Sequence, residues 1–189
     1  YRAEKRFKIY SVSALILALL ILATLISSIA ISSIPAFTQI NIGIDVKMND
    51  DQILQFEEDP ENVSWRSLQK KSFYSMFPNV ETRKDKKELN KILSTGAYIE
   101  IKNFYLDNPN KLTDNNIIYV PASDDVDLLI KDIIDRDLPQ DMRTISDNQI
   151  SYLDELIGDS RIKKTLSWRL FSNSDSREPE LAGLKGGIV

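Results

Sequence analysis

IYSVSALILALLILATLISSIAISSI, from Ile9 to Ile34, is 26 residues long and carries no charged side chain. It lies inside a longer uncharged run of 36 residues between Lys8 and Asp45. As a helix rising ~1.5 Å per residue the 26-mer reaches roughly 39 Å. A hydrocarbon core of ~30 Å needs only ~20 apolar residues. The stretch therefore predicts one transmembrane helix over residues 9–35, long enough to cross with some tilt. Pro35 closes it, because proline cannot continue a regular helix and restricts the residue before it.

Charge sets the orientation. Residues 1–8 carry Arg2, Lys5, Arg6 and Lys8 against Glu4, a net charge of +3. Residues 45–172 carry 18 Lys and Arg against 24 Asp and Glu, a net charge of −6. Short flanks rich in Lys and Arg stay on the cytoplasmic side. Residues 1–8 are then a cytoplasmic flank, and residues 36–172 an extracytoplasmic domain. About 130 residues are enough for one core and too few for two. A cleaved signal peptide would share the basic start, and Ser28-Ile29-Ala30 fits a small-x-small site. Signal peptides carry only about 7–15 apolar residues, however, so the length favours a retained helix.

Composition removes several functions. The chain has no cysteine and no histidine. Disulfides, thiolate metal sites and a Ser-His-Asp triad cannot be built from it, and the commonest general base is missing. An acidic domain without a basic stripe argues against nucleic acid. No Gly-rich phosphate loop is present, and nothing in the sequence asks for a cofactor. The chain starts at Tyr1 rather than Met and ends on Gly186-Gly187-Ile188-Val189. Those two ends predict a piece of a longer protein, with residues 173–189 a loop leading into a second membrane helix.

Within the span, Ala14, Ala18, Ser28 and Ser32 fall in about an 80° sector. Small residues let membrane helices approach closely, so this is either a packing face or ordinary filler. Beyond it the pattern predicts an α+β fold, mainly helical with few strands. Ser64 caps a helix through Phe77 with Trp65, Leu68, Ser72, Phe73 and Met76 near one face. Thr82 with Asp85 resembles a capping box opening a helix that buries Leu89, Ile92 and Leu93, and Gly96 supplies a left-handed stop. Ala97, Ile101 and Tyr105 extend a further helix to Leu106, followed by an Asp107–Asn110 turn. Ile117-Ile118-Tyr119-Val120 predicts a strand stopped by Pro121. Ser123 opens a helix with Val126, Leu129, Ile130, Ile133 and Ile134 as its stripe. Ser146 caps another through Ile150, Leu153 and Ile157 to Gly158. Residues 161–171 suit either a helix or a strand leading back to the membrane.

Three clusters are candidates for chemistry. Asp124, Asp125 and Asp127 could meet a cation, but they lack the alternating ligands, Gly and terminal Glu of a calcium loop. At a helix start their charges match the dipole instead. Arg83, Lys84, Lys86 and Lys87 could attract an anionic headgroup, but they alternate with Asp85 and Glu88 as a solvated face does. The third is the polar stretch from Ser174 to Gly183, which composition reads as a turn before a second membrane helix.

That last stretch also carries a resemblance. Leu170-Phe171-Ser172-Asn173-Ser174-Asp175-Ser176-Arg177-Glu178-Pro179-Glu180-Leu181-Ala182-Gly183 is similar to the LF-x-x-x-DSREPELAG signature of the PstA family, the membrane permeases of phosphate-specific ABC importers, in the form with a large N-terminal insertion. Ala3-Glu4-Lys5-Arg6-Phe7, Ile34-Pro35-Ala36-Phe37-Thr38-Gln39 and Val120-Pro121-Ala122-Ser123-Asp124-Asp125-Val126-Asp127 agree in order. The resemblance implies the first membrane helix and the insertion of a multi-pass permease of the cell inner membrane, with residues 36–172 periplasmic. Its implied partners are a second permease subunit, cytoplasmic ATPase subunits and a periplasmic phosphate-binding protein, besides the lipid bilayer. It implies no catalysis by this chain, and marks Asp175, Ser176, Arg177, Glu178 and Pro179 as a signature loop. The alternative on residues alone is a membrane-anchored sensor or scaffold domain of a signalling receptor.

Overall fold

The chain divides into two units, residues 1–37 and residues from Thr38 onward. The computed structural model describes residues 1–166. The signature loop at Asp175, Ser176, Arg177, Glu178 and Pro179 lies outside the described residues.

The first unit is one helix, α1 (Arg2–Ser33), followed by a short 3-10 turn over Ile34–Phe37 that contains Pro35. No residue of α1 is buried, and it is the one described helix long and apolar enough to cross a membrane. A helix apolar all round needs an apolar surround. Two of its hydroxyls suit one, since Ser11 Oγ donates to the Phe7 carbonyl at 3.0 Å and Thr24 Oγ1 to the Leu20 carbonyl at 2.8 Å. Polar groups bonded within their own helix need no partner from lipid.

The second unit is an α+β domain, mainly helical, built on a three-stranded antiparallel sheet. The central strand is β1 (Thr38–Val46), flanked by β2 (Asn116–Pro121) and β3 (Ile162–Leu166). The alternation Ile40, Ile42, Ile44, Val46 places all four side chains in the core, each at most 1% exposed. Between β1 and β2 lie α2 (Asp50–Glu58), α3 (Trp65–Ser75), α4 (Arg83–Asn90) and α5 (Ala97–Asp107). Between β2 and β3 lie α6 (Asp124–Ile130) and α7 (Asp147–Gly158). The buried helix residues are those at 3–4 spacing, such as Trp65 and Leu68, Ile101 and Tyr105, Val126 and Leu129, Leu153 and Leu156. Trp65 stacks on Tyr105 at 6.2 Å between ring centroids and meets Phe56 edge-on at 6.0 Å. Through Phe56, α2 joins the core.

Side-chain caps explain the starts of α2, α4 and α7, whereas Ser64 takes the N-cap position of α3 without the expected side-chain bond. Asn49 with Gln52 and Ser146 with Gln149 form complete capping boxes for α2 and α7. Thr82 Oγ1 accepts from the Asp85 amide at 3.1 Å and donates to the Asp85 carboxylate at 2.6 Å. The ends depart from expectation. Gly96 is no left-handed stop: its φ is −90°, α4 already ends at Asn90, and Gly96 precedes the first turn of α5. The expected stripe Ile133–Ile134 is not helical either. Asp132 turns left-handed with φ 57°, and the Ile133 and Asp132 amides return to the Leu128 and Leu129 carbonyls. That is a Schellman closure with Asp in the place usually held by glycine. Ser160, φ 56°, closes α7 in the same way, its amide and that of Arg161 returning to Ile157 and Leu156. Near the end of α7 the buried residue is Leu156, while the expected Ile157 is exposed.

The sheet's other face is polar and half covered. Arg161 clasps Asp45 with two bonds of 2.8 Å, and this bonding raises the Arg161 pKa further above its ordinary value. Asn41 Nδ2 donates to Thr165 Oγ1 at 2.7 Å. Lys163 Nζ sits 4.0 Å above the Tyr119 ring. That ring lies over Gly43, its cross-strand partner, and a β-carbon there would meet Tyr119 at 3.0 Å and Ile117 at 3.2 Å. Glycine is held at this position by the close approach of the ring, not by its φ.

Gly43→Val should therefore displace Tyr119 and lower stability by about 1–3 kcal/mol, as overpacking typically does; urea unfolding of the full chain in detergent checks it, and a change within error would remove the steric account. Ser160→Gly should raise stability by up to about 1 kcal/mol, since glycine carries no penalty in the left-handed region, read by the same unfolding curve.

Candidate functional site

A cleft of about 470 Å³ opens where four segments of the domain meet. One wall is α3, which presents Arg66, Gln69 and Lys70 at i, i+3 and i+4. The others are the end of α4 with Asn90 and Lys91, the start of α6 with Ser123, Asp124 and Asp125, and the approach to α7 with Thr144 and Gln149.

The floor is a short pairing that the sequence does not announce. Leu93 forms an isolated antiparallel bridge with Ala122. The Ser94 amide donates to the Pro121 carbonyl at 3.0 Å, and the Ser123 amide to the Ile92 carbonyl at 2.9 Å. These bonds bring the residues after α4 against those before α6, and so set Asn90 and Ser123 beneath the same cleft.

Three polar groups at the floor have no partner among the described residues. Gln69 is 5% exposed, and its carboxamide bonds to none of them. Asn90 Oδ1 and Ser123 Oγ are buried and unpartnered. Ser123 holds the N-cap position of α6, yet its hydroxyl makes no capping bond, so the cap expected from sequence is not formed. An unmade bond on a buried polar group costs about 1–3 kcal/mol. Charges of both signs ring the opening, and among the described residues none of Arg66, Lys70, Lys91 and Asp125 is in an ion pair. Arg66 instead rests on the Tyr98 ring, 4.7 Å from its centroid.

A smaller cavity of about 180 Å³ adjoins, sharing Lys91, Thr144 and Gln149. Arg143 lines it with a side chain only 5% exposed. One nitrogen of its guanidinium, Nη2, pairs with Asp147, while Nε and Nη1 have no partner among the described residues.

The acidic trio of the sequence is split by this geometry. Asp124 and Asp125 reach the cleft, whereas Asp127 turns to the sheet. Its Oδ1 accepts the Ile40 amide at 2.8 Å, and its Oδ2 pairs with Lys131, which also donates to the Thr38 carbonyl at 2.6 Å. Asp127 thus pins the first residues of β1. Among the described residues no group of three acidic side chains could hold a metal ion. In the basic run, Arg83, Lys84 and Lys87 are exposed on α4, as a solvated face requires, and Lys86 lies 6.0 Å from the Tyr74 ring. Sequence reasoning missed Arg66, Gln69, Asn90 and Arg143. One signal was legible: Gln69 falls between Trp65 and Phe73 on the buried stripe of α3, where its carboxamide, like the small Ser72, must be buried.

Neither a curated protein nor a solved structure matches the chain. A family profile described as a domain of unknown function (DUF3333) matches residues 1–140, taking in α1 as well as β1, β2 and the floor of the cleft. That match spans well over half of the 189 residues, and the chain belongs to this family.

Proposed function

We propose that the chain is the first membrane helix and the periplasmic insertion domain of the permease subunit of an ABC-type phosphate importer, with the domain serving to dock the phosphate-binding protein or the partner permease. The signature from Leu170 to Gly183 supports the family. The observation that carries the insertion is the register of the sheet. Thr38, the first residue of the domain, pairs with Leu166, the last residue of β3. Partners in an antiparallel ladder lie about 4.5–5.5 Å apart at Cα, and packed helices lie about 8–10 Å apart. A domain whose chain enters and leaves at one spot fits into a loop between two neighbouring membrane helices without prising them apart.

The basic residues in the first turns of α1, Arg2, Lys5, Arg6 and Lys8, support a cytoplasmic N-terminus, and on this reading the domain lies on the periplasmic side of an inner membrane. Phosphate passage and ATP hydrolysis then belong to other helices and other subunits. The floor groups of the polar cleft favour a second reading, a membrane-anchored sensor whose domain binds a solute between two helices. Several further spans and a cytoplasmic coupling loop encoded downstream would mark the permease; one span and a signalling coiled coil would mark the sensor.

Replacing residues 45–172 by a short linker in the full-length permease should abolish docking of the phosphate-binding protein and lower phosphate uptake. Vesicle flotation with the purified binding protein measures the first, and radiolabelled phosphate the second. Docking and uptake both unchanged would overturn the docking role.

A further inference from the structure

The geometry points to the cleft between α3, α4 and α6 as a binding site for a zwitterionic solute of dipeptide size. Its volume, about 470 Å³, lies in the ordinary range for small-molecule sites and exceeds what a single inorganic ion fills. The lining is too polar for an apolar ligand. Gln69, nineteen-twentieths buried, keeps a carboxamide with a free donor and a free acceptor among the described residues. Such a group matches a peptide bond, which offers one of each. Asn90 Oδ1 can only accept, so the ligand must bring a donor to it, and Ser123 Oγ can serve either way by turning about its side-chain bond.

The charges sort the two ends of that ligand. Asp125 stands beside Ser123 at the start of α6, and would face an ammonium group that also donates to Asn90 Oδ1. Lys91 stands where the main cleft meets the smaller cavity of Arg143. A carboxylate placed there meets Lys91 directly and is drawn by the buried guanidinium, whose Nε and Nη1 are unfilled among the described residues. An anion alone would leave the Asp125 side uncompensated; a cation alone would leave the Lys91 side so. A molecule with both charges, separated by an amide, answers Asp125, Lys91 and the three floor groups together. The site is independent of the docking role, because it needs no second protein.

Alanyl-alanine is the probe, titrated into the full chain in detergent micelles by calorimetry and by amide NMR. Saturable binding that moves the Gln69 side-chain amide signal is expected. Acetylated and amidated alanyl-alanine, which keeps the peptide bond but neither charge, should bind at least about tenfold more weakly. Ser123→Ala combined with Asp125→Asn should cost a similar factor while leaving the unfolding curve in place, and Lys91→Gln should weaken the carboxylate end without altering the fold. Equal binding of the capped peptide would overturn the proposal. So would inorganic phosphate competing for the same signals, or no saturable response to alanyl-alanine at millimolar concentration.

Discussion

Everything in the domain is organised by the pairing of β1 on both of its edges. This strand gives one face, Ile40, Ile42, Ile44 and Val46, wholly to the core. Fully burying such a side chain is worth about 1.5–3 kcal/mol, and the helices find their places by covering this row. Its two edges take up β2 and β3, which are far apart in sequence. Its first residues are pinned from a third direction, since Asp127 accepts the Ile40 amide and Lys131 donates to the Thr38 carbonyl. A surface ion pair is usually worth little; the Lys131 side chain is only 5% exposed, and here the pair also fixes backbone. The Asp45–Arg161 clasp does the same for the junction of β1 with the start of β3.

Much of this was legible from residues alone. The apolar run fixed α1, and the 3–4 spacing with Ser64, Thr82 and Ser146 found α3, α4 and α7. β1 was not found, for a specific reason. It occupies the last part of the same uncharged run that contains the membrane span, so absence of charge masked a change of period. Ile40, Ile42, Ile44 and Val46 alternate at period 2 just after Pro35, and that alternation was the signal. The helix stops failed because the left-handed positions fell on Asp132 and Ser160, which composition does not mark, and not on Gly96. The cleft was illegible because its floor depends on the Leu93–Ala122 bridge, a pairing of segments that carry no strand pattern.

The sheet also connects fold to function. Placing β1 between β2 and β3 brings Thr38, the first residue of the domain, beside Leu166, the last residue of β3. The same order leaves the helices on one side, where α3, α4 and α6 enclose the polar cleft, and leaves the other sheet face to Tyr119, Lys163 and Arg161. Two surfaces of different character result, a polar cleft among helices and a polar sheet face, each supported by the same central strand.

The pairing of β1 with β3 is best tested by cross-linking, which the absence of native cysteine makes clean. Gln39 and Thr165 are register partners, and side chains of directly opposed residues share a face. Their Cα separation suits a disulfide. The Gln39→Cys, Thr165→Cys double variant of the full chain should form an intramolecular disulfide under mild oxidation in detergent, with its unfolding midpoint raised on oxidation and returned by reductant. Folded protein that keeps both thiols free, or joins them only between molecules, would contradict the account.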